Sequence, residues 1–263
     1  MRMYVMVDME GISGIYANEQ VELDKPEGRR LTTQEVNACV QGCIDGGATE
    51  IIVKDAHGIG KNFYWHELHE GARYVVGNGD QEGNGRMPGV EGFDGLILLG
   101  YHAMAGTAEA VLEHTWSADI QEYIVNGAPT GEIGADTYYA AHFGVPTVMV
   151  SGDDKACKEA EALQPGVVTA VVKESHALHG ATFLPPDAAH ALVREKAAEA
   201  TRRCKEFTVP KLSLPVTIQM RFRERQPLPI VRDSPYMRVV DGHTFEVTAD
   251  NFLEGYFRTL ELY

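Results

Sequence analysis

The fold is decided by Met3-Tyr4-Val5-Met6-Val7-Asp8-Met9-Glu10-Gly11-Ile12-Ser13-Gly14, an apolar run that turns abruptly into two carboxylates and a glycine. An unbroken apolar run of this kind predicts a strand covered on both faces, as in a parallel sheet. Gly11 and Gly14 permit a turn that most side chains would strain. In open α/β sheets chemistry collects where strands end and loops begin, and Asp8 and Glu10 stand at that point. Being two apart, they project to the same side of an extended segment. Two anions so close repel unless a cation lies between them or one keeps its proton. A turn with two solvated acids is the alternative on these residues alone.

Downstream, residues 16–31 read as a polar loop. Thr32 or Thr33, with Glu35 as capping-box partner, predicts a helix running through Val36, Val40 and Ile44 to Gly46-Gly47. Thr49-Glu50-Ile51-Ile52-Val53-Lys54 is the second strand, so residues 3–54 form one βαβ unit ending in Asp55-Ala56-His57-Gly58. A short helical segment at 64–68 and a strand at 73–76 precede a glycine-rich loop over 77–92. Phe93 to Leu99 is again strand-like and ends in Gly100-Tyr101-His102-Ala103. Asn126-Gly127 signals a hairpin turn. A helix over 132–143, a strand over 146–152, a helix over 154–163 capped by Asp153 and a strand over 167–172 follow.

After residue 180 the composition shifts. Pro185-Pro186-Asp187 introduces an Ala-rich helix to about Cys204, and Leu212 to Arg221 alternates apolar with polar as a half-buried strand does. A strand at 244–247 and a helix over 249–262 complete the chain. The expected class is α/β: a mostly parallel central sheet flanked by helices over 1–180, with a smaller α+β part over 186–263.

A chain of 263 residues buries a substantial core, and a hydrophobic fraction of 44% removes disorder from consideration. The formal net charge of −15 argues against nonspecific binding to nucleic acid or to an anionic membrane. No stretch approaches the ~20 apolar residues of a spanning helix, and no apolar leader precedes the first strand, so a cytoplasmic location is expected. Cys39, Cys43, Cys157 and Cys204 are too few and too scattered for a disulfide framework.

Asp8, Glu10, His57, His102, His114 and Glu132 all stand at strand ends, at helix starts or beside apolar runs. Carboxylates with imidazoles suit zinc or manganese, whereas an all-oxygen set suits magnesium or calcium. Five ligands, three of them acidic, exceed what one tetrahedral zinc uses; they fit two metals ~3.5–4 Å apart with a shared carboxylate, an arrangement used for hydrolysis. Asp55 either orients an imidazole or caps a turn. His66 and His69 are three apart rather than four and read as surface residues, as do His176 and His179. A dinuclear phosphoesterase draws on the same metals and carboxylates. A non-catalytic metal-binding protein would more often enlist cysteine, and the four cysteines lie outside the set.

The chain resembles the zinc D-aminopeptidase family, bacterial enzymes similar to one expressed with dipeptide transport. The matching pieces are Val7-Asp8-Met9-Glu10-Gly11-Ile12-Ser13-Gly14, Asp55-Ala56-His57, Leu99-Gly100-Tyr101-His102-Ala103, the region of His114, Asn126 to Gly134, and Val148 to Asp154, in the family's order. The resemblance covers at least residues 1–175. It implies two zinc ions per subunit: Asp8 bridging, Glu10 and His57 completing one site, His102 and Glu132 the other, with His114 catalytic and free of metal. It also implies an α/β fold and a self-compartmentalising ring of two stacked pentamers. The substrates it implies are short peptides with a free N-terminal D-residue, such as D-alanyl-D-alanine. Met6 stands where the family has a serine, and Glu113-His114-Thr115 replaces a serine-flanked histidine; neither change touches an implied ligand.

Overall fold

The computed structural model describes residues 1–77, 85–224 and 234–260. Residues 78–84 of the glycine-rich 77–92 stretch, and the last positions of the helix expected over 249–262, lie outside the described residues. In chain order the elements begin with β1 (Arg2–Val7), α1 (Asn18–Val21), α2 (Pro26–Asp45), β2 (Glu50–Asp55), β3 (Arg73–Val75) and β4 (Gly95–Tyr101). Next come β5 (Ile120–Val125), β6 (Ala128–Pro129), α3 (Glu132–His142), β7 (Thr147–Asp153), α4 (Asp154–Leu163), β8 (Val168–Ala177) and β9 (Gly180–Phe183). The chain closes with α5 (Pro186–Arg203), β10 (Val216–Phe222), β11 (Met237–Val239), β12 (Thr244–Ala249) and α6 (Phe252–Leu260).

A seven-stranded sheet runs in the order β3-β2-β1-β4-β7-β8-β9, parallel throughout except for the last pair. Successive residues of β1 feed two cores, as the period-two geometry of a strand requires. Met3, Val5 and Val7 pack with Val36, Val40, Val193 and Ala197, so α2 and α5 cover that face. Tyr4 and Met6 pack on the other side with Tyr139 of α3 and with Ile218, Met220 and Phe245 of a second sheet. That sheet is antiparallel, in the order β11-β12-β10-β5-β6. The two sheets share the chain: β5 lies within 1–180 yet pairs with β10, carrying β6 on its other edge, and α5 lies within 186–263 yet packs on α2. A division near residue 180 is a proposal that these exchanges weigh against.

Local chemistry explains where two element boundaries depart from the sequence pattern. The second helix starts at Pro26, whose fixed φ suits a first turn. Thr32 and Thr33 sit inside it, their hydroxyls donating back to the carbonyls of Gly28 and Arg29 rather than capping. The strand expected from Leu212 starts at Val216, because Pro215 has no N–H to give to the ladder. The Asn126-Gly127 turn has φ of 49° and 81°, the left-handed pair that a two-residue hairpin needs.

Candidate metal centre

Three parallel strands deliver the first donors. β2, β1 and β4 lie side by side and run the same way, so their C-terminal ends open on one edge. Asp8, His57 and His102 follow those ends within two residues. Glu132 opens α3, and His114 comes from the β4–β5 connection. The loops after β1 and β4 touch backbone to backbone, with Asp8 N donating to Leu99 O at 2.9 Å and Gly11 N to Gly100 O at 2.7 Å. Glycine is required there: Gly100 has φ of +74° and a Cβ on it would stand 2.5 Å from Asp8 O, while a Cβ on Gly11 would stand 2.1 Å from Tyr101 O. This contact sets His102 beside Asp8.

All six residues singled out from the sequence converge. Asp8 Oδ1 lies 2.9 Å from His57 Nδ1, and its Oδ2 lies 3.4 Å from His102 Nε2. Glu10 Oε2 is 3.2 Å from His57 Nδ1. Glu132 Oε1 is 3.4 Å from His102 Nε2 and 3.7 Å from His114 Nε2. Two donor triads result, Asp8/Glu10/His57 and His102/His114/Glu132, the donor atoms of each lying within 4.8 Å of one another. Asp8 faces both.

Each imidazole is aimed by a carbonyl. His57 Nε2 donates to Val21 O at 3.0 Å, His102 Nδ1 to Ala103 O at 3.0 Å and His114 Nδ1 to Leu112 O at 2.9 Å. Because a carbonyl only accepts, the other ring nitrogen faces the carboxylates. Glu132 Oε1 accepts from Trp116 N at 2.9 Å. Burial pushes the Asp8 carboxyl up, but the imidazoles of His102 and His57 beside it outweigh burial and hold it well below the usual range. Burial pushes His57 down, yet the Glu10 and Asp8 carboxylates hold it up to about 12. His102 is likewise held high, against its burial, by Asp8 and Glu132. The clustered carboxylates therefore demand positive charge at this edge.

The donor set fits a metal. Glu10 Oε2 and His102 Nε2 are buried yet make no hydrogen bond within the chain, and buried polar atoms of that kind require a partner. Mixed carboxylate and imidazole donors match zinc. A cavity of about 350 Å³, lined by Glu10 and His114 among others, opens onto the cluster. Cavities of about 500 and 620 Å³ lie elsewhere and expose none of the six residues.

The model of the peptidase M55 family, described as D-aminopeptidase, matches residues 1–261. The chain belongs to that family. Over 217 residues it is 36% identical to a D-aminopeptidase of Bacillus subtilis (strain 168), covering 80% of this chain and 78% of that one. Its fold superposes with a TM-score of 0.92, at 31% identity over 100% of this chain and 96% of the other, on the Zn-dependent D-aminopeptidase DppA from Bacillus subtilis, described as a self-compartmentalizing protease.

Around the six candidate residues, this M55 chain builds supports that the sequence pattern did not announce. Arg86, from the glycine-rich stretch, clamps Asp136 through two bonds of 2.9 and 2.8 Å, and its guanidinium stands 3.9 Å from Glu132 Oε2. Tyr101 donates to the same Asp136. Asp136 follows Glu132 by four residues, the one signal that placed it on the same helix face. Lys173 is fully buried, donating to the carbonyls of Glu10, of Ile12 at 3.0 Å and of Ile15 at 2.7 Å. Glu35 accepts from Ser13 N at 3.0 Å, so it pins the same turn rather than capping a helix.

The remaining candidates stay outside the cluster. Asp55 holds Asn62 through both carboxylate oxygens, so it ties the turn and not an imidazole. His66 is exposed, His69 meets Gln41, and His176 meets Thr182. All four cysteines are buried and free. Among the described residues no helix is long and apolar enough to cross a membrane.

Proposed function

We propose that this chain is a dinuclear zinc aminopeptidase removing an N-terminal D-residue from short peptides of the D-alanyl-D-alanine type. The observation that carries it is the splay of Asp8, one oxygen facing His57 and the other His102, as a carboxylate shared between two ions would require. Asp8, Glu10 and His57 would hold one ion, and Asp8, His102 and Glu132 the other. Bound zinc supplies Lewis acidity and makes water ionise near neutral pH. Trp116 N fixes Glu132, and Val21 O fixes the ring of His57, so neither donor has to reorganise on binding. His114 lies at the cavity wall with its Nε2 side turned inward, where it takes a proton from the attacking water and passes it to the leaving amine. Its 3.7 Å approach to Glu132 also favours a second reading, in which His114 is a third ligand beside His102.

Family membership favours peptide over phosphate-ester cleavage. The self-compartmentalizing relative, matched over the whole chain, supports a homo-oligomer, for which we propose the decameric ring of two pentamers; native mass spectrometry tests it. The activity is tested by assaying D-Ala-D-Ala and L-Ala-L-Ala with metal-analysed protein, with and without chelator. The reading predicts D-selective hydrolysis abolished by chelation, and chelator-resistant or L-selective hydrolysis contradicts it.

A further inference from the structure

The cavity at the metal centre is lined by side chains of both charges. Glu10 and His114 line it, and Glu113 adds an acid whose Oε2 already accepts from Gly106 N at 2.6 Å. The cation lining it besides is Arg223, one residue past β10. Arg223 N donates to Asp119 O at 2.8 Å, tying its backbone to the stretch whose Ser117, Ala118 and Ile120 line the cavity. Immediately before it, the register of β10 against β5 shifts between Arg221 and Phe222, an irregularity of the kind that re-aims a side chain at the rim of a site. Among the described residues its guanidinium joins none of the ion pairs, whereas the neighbouring Arg221 is paired with Asp241 at 3.2 Å.

A free dipeptide has a charge at each end, and a guanidinium matches a carboxylate with two parallel N–H donors. We propose that Arg223 is a specificity-determining residue that holds the free C-terminal carboxylate of the substrate, while the amine end lies toward Glu10 and His114. This assignment rests on the D-peptidase reading above. It also accounts for a preference for short peptides, because a cavity of about 350 Å³ that holds both metal donors and a cation fits two small residues. Small apolar side chains, Ala105 and Ala118 among them, line the same space.

The test compares kcat and KM for D-Ala-D-Ala and for D-Ala-D-Ala amide, which differ only in the terminal charge, using zinc-loaded wild type, Arg223→Gln and Arg223→Lys. The ratio of kcat/KM for acid over amide is expected to fall about tenfold in R223Q, as loss of one partly exposed charge-assisted contact implies, with the change in KM. R223K should hold an intermediate ratio. An unchanged ratio in R223Q, or a loss on kcat shared equally by both substrates, overturns the assignment. Hydrolysis of neither peptide by wild type overturns the D-peptidase reading instead, and the assignment with it.

Discussion

His102 and His114 stack nearly parallel, ring centroids 4.0 Å apart and planes inclined by 12°. The stack holds His114 beside the donors while its Nδ1 is committed to Leu112 O, which leaves its inward nitrogen free for the proton transfer proposed above. His114→Ala is expected to keep its zinc and lose ~10²–10⁴ in kcat, the usual range for a general acid or base. Paired kinetics and metal analysis check this. A wild-type rate removes the catalytic role, and loss of one zinc makes His114 a ligand.

Asp8→Ala should be harsher. Its two oxygens face opposite triads, so one truncation removes a donor from both. The variant is expected to lose most bound zinc and all measurable hydrolysis while its circular dichroism stays native. Two zinc ions retained in Asp8→Ala would contradict the shared carboxylate.

The contact between the β1 and β4 loops is sterically exclusive. Gly100→Ala forces a methyl to 2.5 Å from Asp8 O at a φ of +74°. It should lower stability by about 1–3 kcal/mol and weaken zinc binding, because it moves Asp8 against His102. Thermal melts with and without zinc measure both effects, and an unshifted melt speaks against the contact.

Glu35 adds a pH dependence. Burial is the largest influence on its carboxyl and pushes it up to about 7, from an ordinary 4.5. The folded protein therefore binds this proton more tightly than the unfolded chain, so the stability it contributes is full below pH 4.5 and is lost as pH rises through 7. Glu35→Gln does not titrate. Its stability relative to wild type should climb between pH 4.5 and 7 in denaturant titrations, and a constant difference would show that Glu35 stays ionised.

The sequence announced the members of the candidate cluster better than it announced what supports them. Asp8, His57 and His102 were legible because each ends an apolar run beside a glycine, and parallel pairing of β1, β2 and β4 does the rest. The C-terminal half of the fold was legible as separate strands, but not the pairing of β5 with β10, since antiparallel partners nearly a hundred residues apart leave no local trace. Arg86 was hidden for the same reason, sitting in a glycine-rich loop whose composition speaks only of irregular backbone. Lys173 did leave a mark, a lone cation in an apolar run, though nothing local says that its partners are carbonyls some 160 residues earlier. Thr32 and Thr33 misled because a hydroxyl that caps a helix and one that bonds back within it look alike in sequence.

The central claim is that two ions share Asp8 and drive the reaction, and titrating zinc into metal-depleted protein while following D-Ala-D-Ala hydrolysis tests it most directly. Activity should rise until two zinc ions are bound per chain and then level off. Full activity at one ion, or activity indifferent to zinc, would contradict it.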